Sequence, residues 1–61
     1  MSAKMMAWSN LKTGDRIVCP GDGRTERVVR VERRRDGSTF VRTSRHDHFR
    51  PEHARVERIE Q

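Results

Sequence analysis

Cys19, His46, His48 and His53 are the side chains in this sequence best suited to a transition metal. Zinc takes thiolate and imidazole ligands in a tetrahedral shell. His46 and His48 are two positions apart, so on an extended segment both point to the same side. No CxxC, HxxxH or HExxH spacing accompanies them, and the reading adopted is of surface histidines plus a buried small thiol, with no metal and no other cofactor. Ser44, His46 and Asp47 are the residue types of a hydrolytic triad, but they lie too close in sequence to form one by spacing. No oxyanion site or base-orienting partner stands beside them. Gly21-Asp22-Gly23 carries an acid and precedes a strand, whereas a phosphate-cradling loop leads into a helix. The chain is therefore expected not to be an enzyme.

Arginine is the other chemistry-bearing residue. The 61 residues hold 14 Lys+Arg against 9 Asp+Glu, a formal charge of +5, and twelve of the basic residues are Arg. Arg pairs bidentately with phosphate or carboxylate and stacks on flat rings. With 38% charged and 31% apolar residues, the chain has material for one small domain and none for a large catalytic cleft. No apolar run approaches the roughly 20 residues of a membrane helix. Met5-Met6-Ala7-Trp8 is too short for the apolar region of a signal peptide. A single cysteine makes no internal disulfide. The expectation is an intracellular, cytoplasmic chain, with a homodimer or a bound partner adding stability to so small a core.

The elements that must position these residues are short strands. Low hydrophobicity favours disorder, but the apolar residues are β-branched and grouped between turn signals, which favours folding. Residues 1–10 read as a partly disordered leader whose Trp8 covers one end of the core, and residues 11–59 as a single domain. Arg16 to Cys19 is a strand closed by Pro20, and Gly21-Asp22-Gly23 is a turn. Thr25 to Arg35 is a longer strand rich in valine, Asp36-Gly37 marks a hairpin, and Ser38 to Arg45 is the return strand. Residues 51–59 read as a tight turn and a last strand. The alternative is a helix starting at Pro51, which would give a three-stranded sheet with a C-terminal helix.

The hairpin register follows from its side chains. A two-residue loop would pair Val31 with Arg42 and mix charge with apolar groups on both faces. A three-residue loop with Gly37 left-handed pairs Val31 with Val41, Val29 with Thr43 and Arg33 with Thr39. The expected core is Leu11, Ile17, Cys19, Val29, Val31, Val41, Phe49, Val56 and Ile59. The other face of the hairpin then carries Arg30, Glu32 and Arg34 opposite Arg42, Phe40 and Ser38, with Phe40 exposed among arginines.

Leu11-x-x-Gly14-Asp15-x-Ile17-x-Cys19 followed by Val28-x-x-Val31 resembles the opening of KOW-type and related SH3-like modules of transcription and translation proteins. The place of the KOW glycine, two residues before Val28, is held by Glu26. The resemblance implies an all-β, SH3-like, partly open barrel of about five short strands. The tyrosine-rich groove of peptide-binding SH3 domains has no counterpart, since the chain has no Tyr.

An aromatic on a cationic sheet face suits single-stranded nucleic acid, whose bases stack while its phosphates pair. The expected function is non-catalytic binding of DNA or RNA with low sequence specificity, through Arg24, Arg30, Arg34, Arg35, Phe40 and Arg42. The second reading is a small adaptor or inhibitor docking on an acidic protein surface, with Phe40 as its anchor.

Overall fold

The β-branched clusters do form strands, and the chain makes more of them than its turns announce. In the computed structural model, which describes residues 2–60, the elements run β1 (Ser2–Ala7), a 3-10 turn (Trp8–Asn10), β2 (Arg16–Val18), β3 (Thr25–Arg33), β4 (Thr39–Thr43), β5 (Asp47–Arg50) and β6 (Arg55–Glu60). They form one open antiparallel sheet in the order β1-β6-β2-β3-β4-β5. The chain is all-β. Arg55–Glu60 is a strand, so the alternative helix from Pro51 is not formed. Among the described residues no helix is long and apolar enough to cross a membrane.

The sheet has six strands where about five were expected, because the segment read as a leader supplies one. Ser2–Ala7 pairs with β6 from Ser2↔Glu60 to Ala7↔Arg55. Met6 lies opposite Val56 and packs against the core. Trp8 donates its backbone N–H to Ala54 at 3.3 Å. Its ring is buried.

Trp8, Leu11, Ile17, Val28, Val41 and Val56 form one apolar cluster. In a flat sheet β6 and β4, three places apart, would stand about 14 Å from each other. Trp8 and Leu11 join their valines into one cluster. Arg33 ties the hairpin to this plug, its Nε donating to the Ser9 carbonyl at 2.6 Å.

The hairpin register is the expected one at its tip: Val31↔Val41 and Arg33↔Thr39 are paired, and Gly37 has φ +90°. It changes further down. Between Val28 and Arg30 the pairing shifts, so that Val28, not Val29, lies opposite Thr43. Val29 is an extra residue, a β-bulge. Past it the side-chain alternation changes phase. Val31 faces inward on one side of the bulge, and Val28 and Glu26 face inward on the other. Val29, expected in the core, is 45% exposed, whereas Val28 is fully buried.

Two neighbouring valines should therefore respond differently. Val28→Ala should lower the unfolding free energy by about 2 kcal/mol through lost burial and a residual cavity. Val29→Ala should change it by no more than about 0.5 kcal/mol. Urea unfolding of the two variants measures this, and equal losses would contradict the bulge.

Candidate functional site

Two groupings of chemistry-bearing residues lie on opposite sides of the same strands. The first is the outer face of β3, β4 and β5. Arg30 stands opposite Arg42, and Arg42 opposite Asp47; in the next row Glu32 stands opposite Phe40, and Phe40 opposite Phe49. The two phenylalanine rings are 4.8 Å apart between centroids. The order of exposure reverses what the residues suggested. Phe40 is buried at 9%, and Phe49, expected in the core, is 63% exposed. The cause is β5: its pairing lays Phe49 over Phe40 and turns His48 inward.

The arginines of this face are not equivalent. Arg42 binds Asp47, Nε to Oδ1 at 3.0 Å, and this hydrogen-bonded carboxylate raises the guanidinium pKa above its ordinary value. Arg30 pairs with Glu32 at 3.4 Å. Both pairs are half-exposed, a setting in which ion pairs stabilise little and exchange readily. Arg34 has its guanidinium carbon 5.0 Å from the centre of the Phe49 ring, a cation–π arrangement. Arg35 lies on the exposed hairpin tip between β3 and β4. Arg24 does not join them. It sits at the opposite end of the nine-residue β3, up to about 30 Å away if the strand were straight.

The second grouping centres on Glu26, whose carboxylate is wholly enclosed. The bulge is what turns it inward, beside Ile17 of β2 and on the Val28 side of the core. Thr43 Oγ1 donates to Oε1 at 2.7 Å and in turn accepts the backbone N–H of Arg45 and of His46. His48 Nε2 lies 3.0 Å from Oε1, and His46 Nδ1 lies 2.7 Å from Oε2. Arg50 Nη2 is 3.3 Å from the other ring nitrogen of His48. A guanidinium only donates, so this Nδ1 accepts and the proton sits on Nε2, directed at Glu26. The Trp8 ring lies 5.0 Å from His48 between centroids, and Arg50 stacks on Trp8 at 5.0 Å.

Burial alone would push the Glu26 carboxyl up. Hydrogen bonds from His48, Thr43 and His46, with the Cys19 thiol adding to them, outweigh burial and bring it from the ordinary 4.5 down to about 2. The donor atoms of Cys19, Glu26, His46 and His48 all lie within 4.8 Å of one another. His48 is buried and His46 turns to the same carboxylate, so these two are not the free surface histidines expected. Exposed His53 lies outside the group. The side-by-side spacing of His46 and His48 was a legible signal, but their partner Glu26 was not, because it looks like one more charge on an exposed strand.

Comparison with protein-family models, curated proteins and solved structures finds no match to this chain. The geometry of its own residues carries the functional reading.

The depressed Glu26 pKa makes stability depend on acid. The folded-state value lies below the unfolded one, so its contribution is complete above pH 4.5 and is lost as pH falls towards about 2. The full displacement corresponds to about 3 kcal/mol. With a chelator present so that only protons titrate, acid unfolding should show this loss, and Glu26→Gln should remove most of the slope in that window. An unchanged slope would contradict the assignment.

Proposed function

We propose that this chain is a non-catalytic binding module that holds single-stranded nucleic acid on the outer face of β3, β4 and β5. The observation that carries the reading is the exposed Phe49 ring, backed by Phe40 and flanked by Arg34. A ring held against Phe40 and covered only by the exposed Arg34 side chain becomes a stacking platform for a base when that guanidinium moves aside to a phosphate. A stacked base contributes about 1–3 kcal/mol and asks for no particular sequence. Arg34 and Arg35 supply phosphate contacts, and Arg30 and Arg42 join by exchanging their exposed carboxylate partners for phosphate. Release of counterions from the strand then drives association. Phe49 takes the stacking role first read for Phe40, and Arg24 contributes to the general positive field instead of the face. The resemblance to SH3-like modules belongs to this proposal, supported by the run of short antiparallel strands from Arg16 to Glu60.

A second reading, docking on an acidic protein surface, is favoured by one observation. Glu32 and Asp47 alternate with Arg30 and Arg42 around the aromatic pair, and this mixed-charge rim around an apolar anchor is typical of protein interfaces. Salt dependence separates the two, since nucleic-acid binding is the more steeply salt-sensitive.

Titration of labelled single-stranded and double-stranded oligonucleotides across a salt series is the test. Binding to the single strand should fall steeply with salt. Phe49→Ala should weaken it by roughly tenfold to a hundredfold. Arg34→Ala should lower the log–log salt slope by about one. Absence of binding at low salt, or full affinity in Phe49→Ala, would overturn the reading.

A further inference from the structure

We infer that Cys19, Glu26, His46 and His48 form a binding site for one zinc ion at the junction of the β2–β3 and β4–β5 turns. Their donor atoms lie within 4.8 Å of one another. A four-coordinate zinc ion with bonds of 2.0–2.3 Å holds its ligands about 3.3–3.8 Å apart. To take a central ion the widest separations, up to 4.8 Å, close by roughly 1 Å, while the two imidazole–carboxylate pairs, hydrogen-bonded at 2.7 and 3.0 Å, open by a few tenths of an ångström or more. Sulfur, imidazole nitrogen and carboxylate oxygen in one tetrahedral set suit zinc better than magnesium or calcium, which take oxygen shells.

The fold builds this set from three places. Cys19 follows β2 and is held by its turn, its N–H donating to the Arg24 carbonyl at 2.7 Å while its own carbonyl accepts from Gly23. Glu26 is turned inward on β3. His46 and His48 flank the start of β5, in a turn where Ser44 donates its N–H to the Arg27 carbonyl at 2.9 Å and so keeps that turn beside β3. Cys19, Glu26 and His48 are buried, and His46 is half-exposed on the open side, where an ion can enter.

Charge argues in the same direction. Glu26 is enclosed, and among the described residues only two imidazoles, which carry charge only when protonated, lie within ion-pair distance of it. No Arg or Lys compensates it, although the chain is rich in Arg. A divalent ion bound by one carboxylate and one thiolate forms a neutral unit, with the two imidazoles completing the shell. The Cys19 proton leaves to solvent. His48 binds through Nε2, its proton moves to Nδ1, and Arg50 releases that nitrogen while keeping its stack on Trp8; His46 binds through Nδ1, its proton moving to the solvent-facing Nε2. The bound ion joins Cys19 of one turn directly to His46 of the other, and a small core gains from such a staple.

The test uses the full chain in reducing buffer. Native mass spectrometry with added zinc should show one ion per chain, and zinc should raise the melting temperature in a concentration-dependent way. Cobalt should give a thiolate charge-transfer band and the intense visible absorption of a four-coordinate ion. Cys19→Ser should abolish the charge-transfer band. His46→Ala, which changes a half-exposed side chain and so spares the core, should weaken zinc binding by at least about tenfold. His53→Ala should bind as the parent does. Six-coordinate cobalt without a thiolate band would overturn the site. So would a band that survives Cys19→Ser, or zinc affinity unchanged in His46→Ala.

Discussion

One extra residue in β3 decides where every other side chain of the hairpin goes. A strand alternates its faces with period two, so a strand of this length without a bulge cannot bury both Val28 and Val31. Insertion of Val29 between their ladders changes the phase and lets both face the same core. Two consequences follow from the same shift. Glu26, two residues before Val28, must point inward, and Arg30, one residue before Val31, must point outward. A bulge also bends its strand and increases local twist. That bend fits a sheet whose β4 and β6 valines belong to one cluster with Trp8 and Leu11. The buried carboxylate and the cationic outer face are therefore two results of one backbone feature.

Turning a carboxylate into the core creates a demand that the neighbouring strand meets. An enclosed anion is tolerated only when its oxygens are hydrogen-bonded. Thr43 lies opposite Val28 across the ladder, and His46 and His48 follow in the next turn and strand. All three direct donors at Glu26, and His48 can do so only if β5 presents even-numbered residues to the inside. The polar requirement of Glu26 thus fixes the phase of β5. Phe49, an apolar residue next to that histidine, is forced outward as a consequence.

The same chain of constraints separates what was legible in the residues from what was not. The all-β class, the turn glycines and the register at the hairpin tip follow from local rules: β-branched clusters, Asp-Gly chemistry and the mismatch of charge with valine. Ile17, Leu11, Val41 and Val56 follow from the same patterning. The bulge leaves no mark of this kind, since Val28-Val29 offers two equivalent apolar residues and only the opposite strand chooses between them. Every later difference descends from that choice or from tertiary pairing. Val29 and Val28 exchange places, Glu26 goes inside, and Phe40 and Phe49 exchange exposure. The N-terminal strand was hidden for another reason. Ser2–Ala7 has a weak apolar pattern and becomes a strand because the exposed edge of β6 offers it backbone partners.

The two groupings share β5, and this gives the arrangement its functional sense. Asp47 and Phe49 project from one side of that strand, and His48 and Arg50 from the other. β5 has four residues and is an edge strand, bonded on one side to β4 alone. A short edge strand of this kind holds an exposed aromatic in a fixed place only if something anchors its inner side. His48 against Glu26 and Trp8, with Arg50 stacked on the same Trp8, is that anchor. The interior polar cluster therefore fixes the pose of Phe49 as well as meeting the hydrogen-bond demand of Glu26. A domain with so few apolar residues can keep a ring open to solvent without losing its edge, because the strand is held by polar contacts on the opposite face.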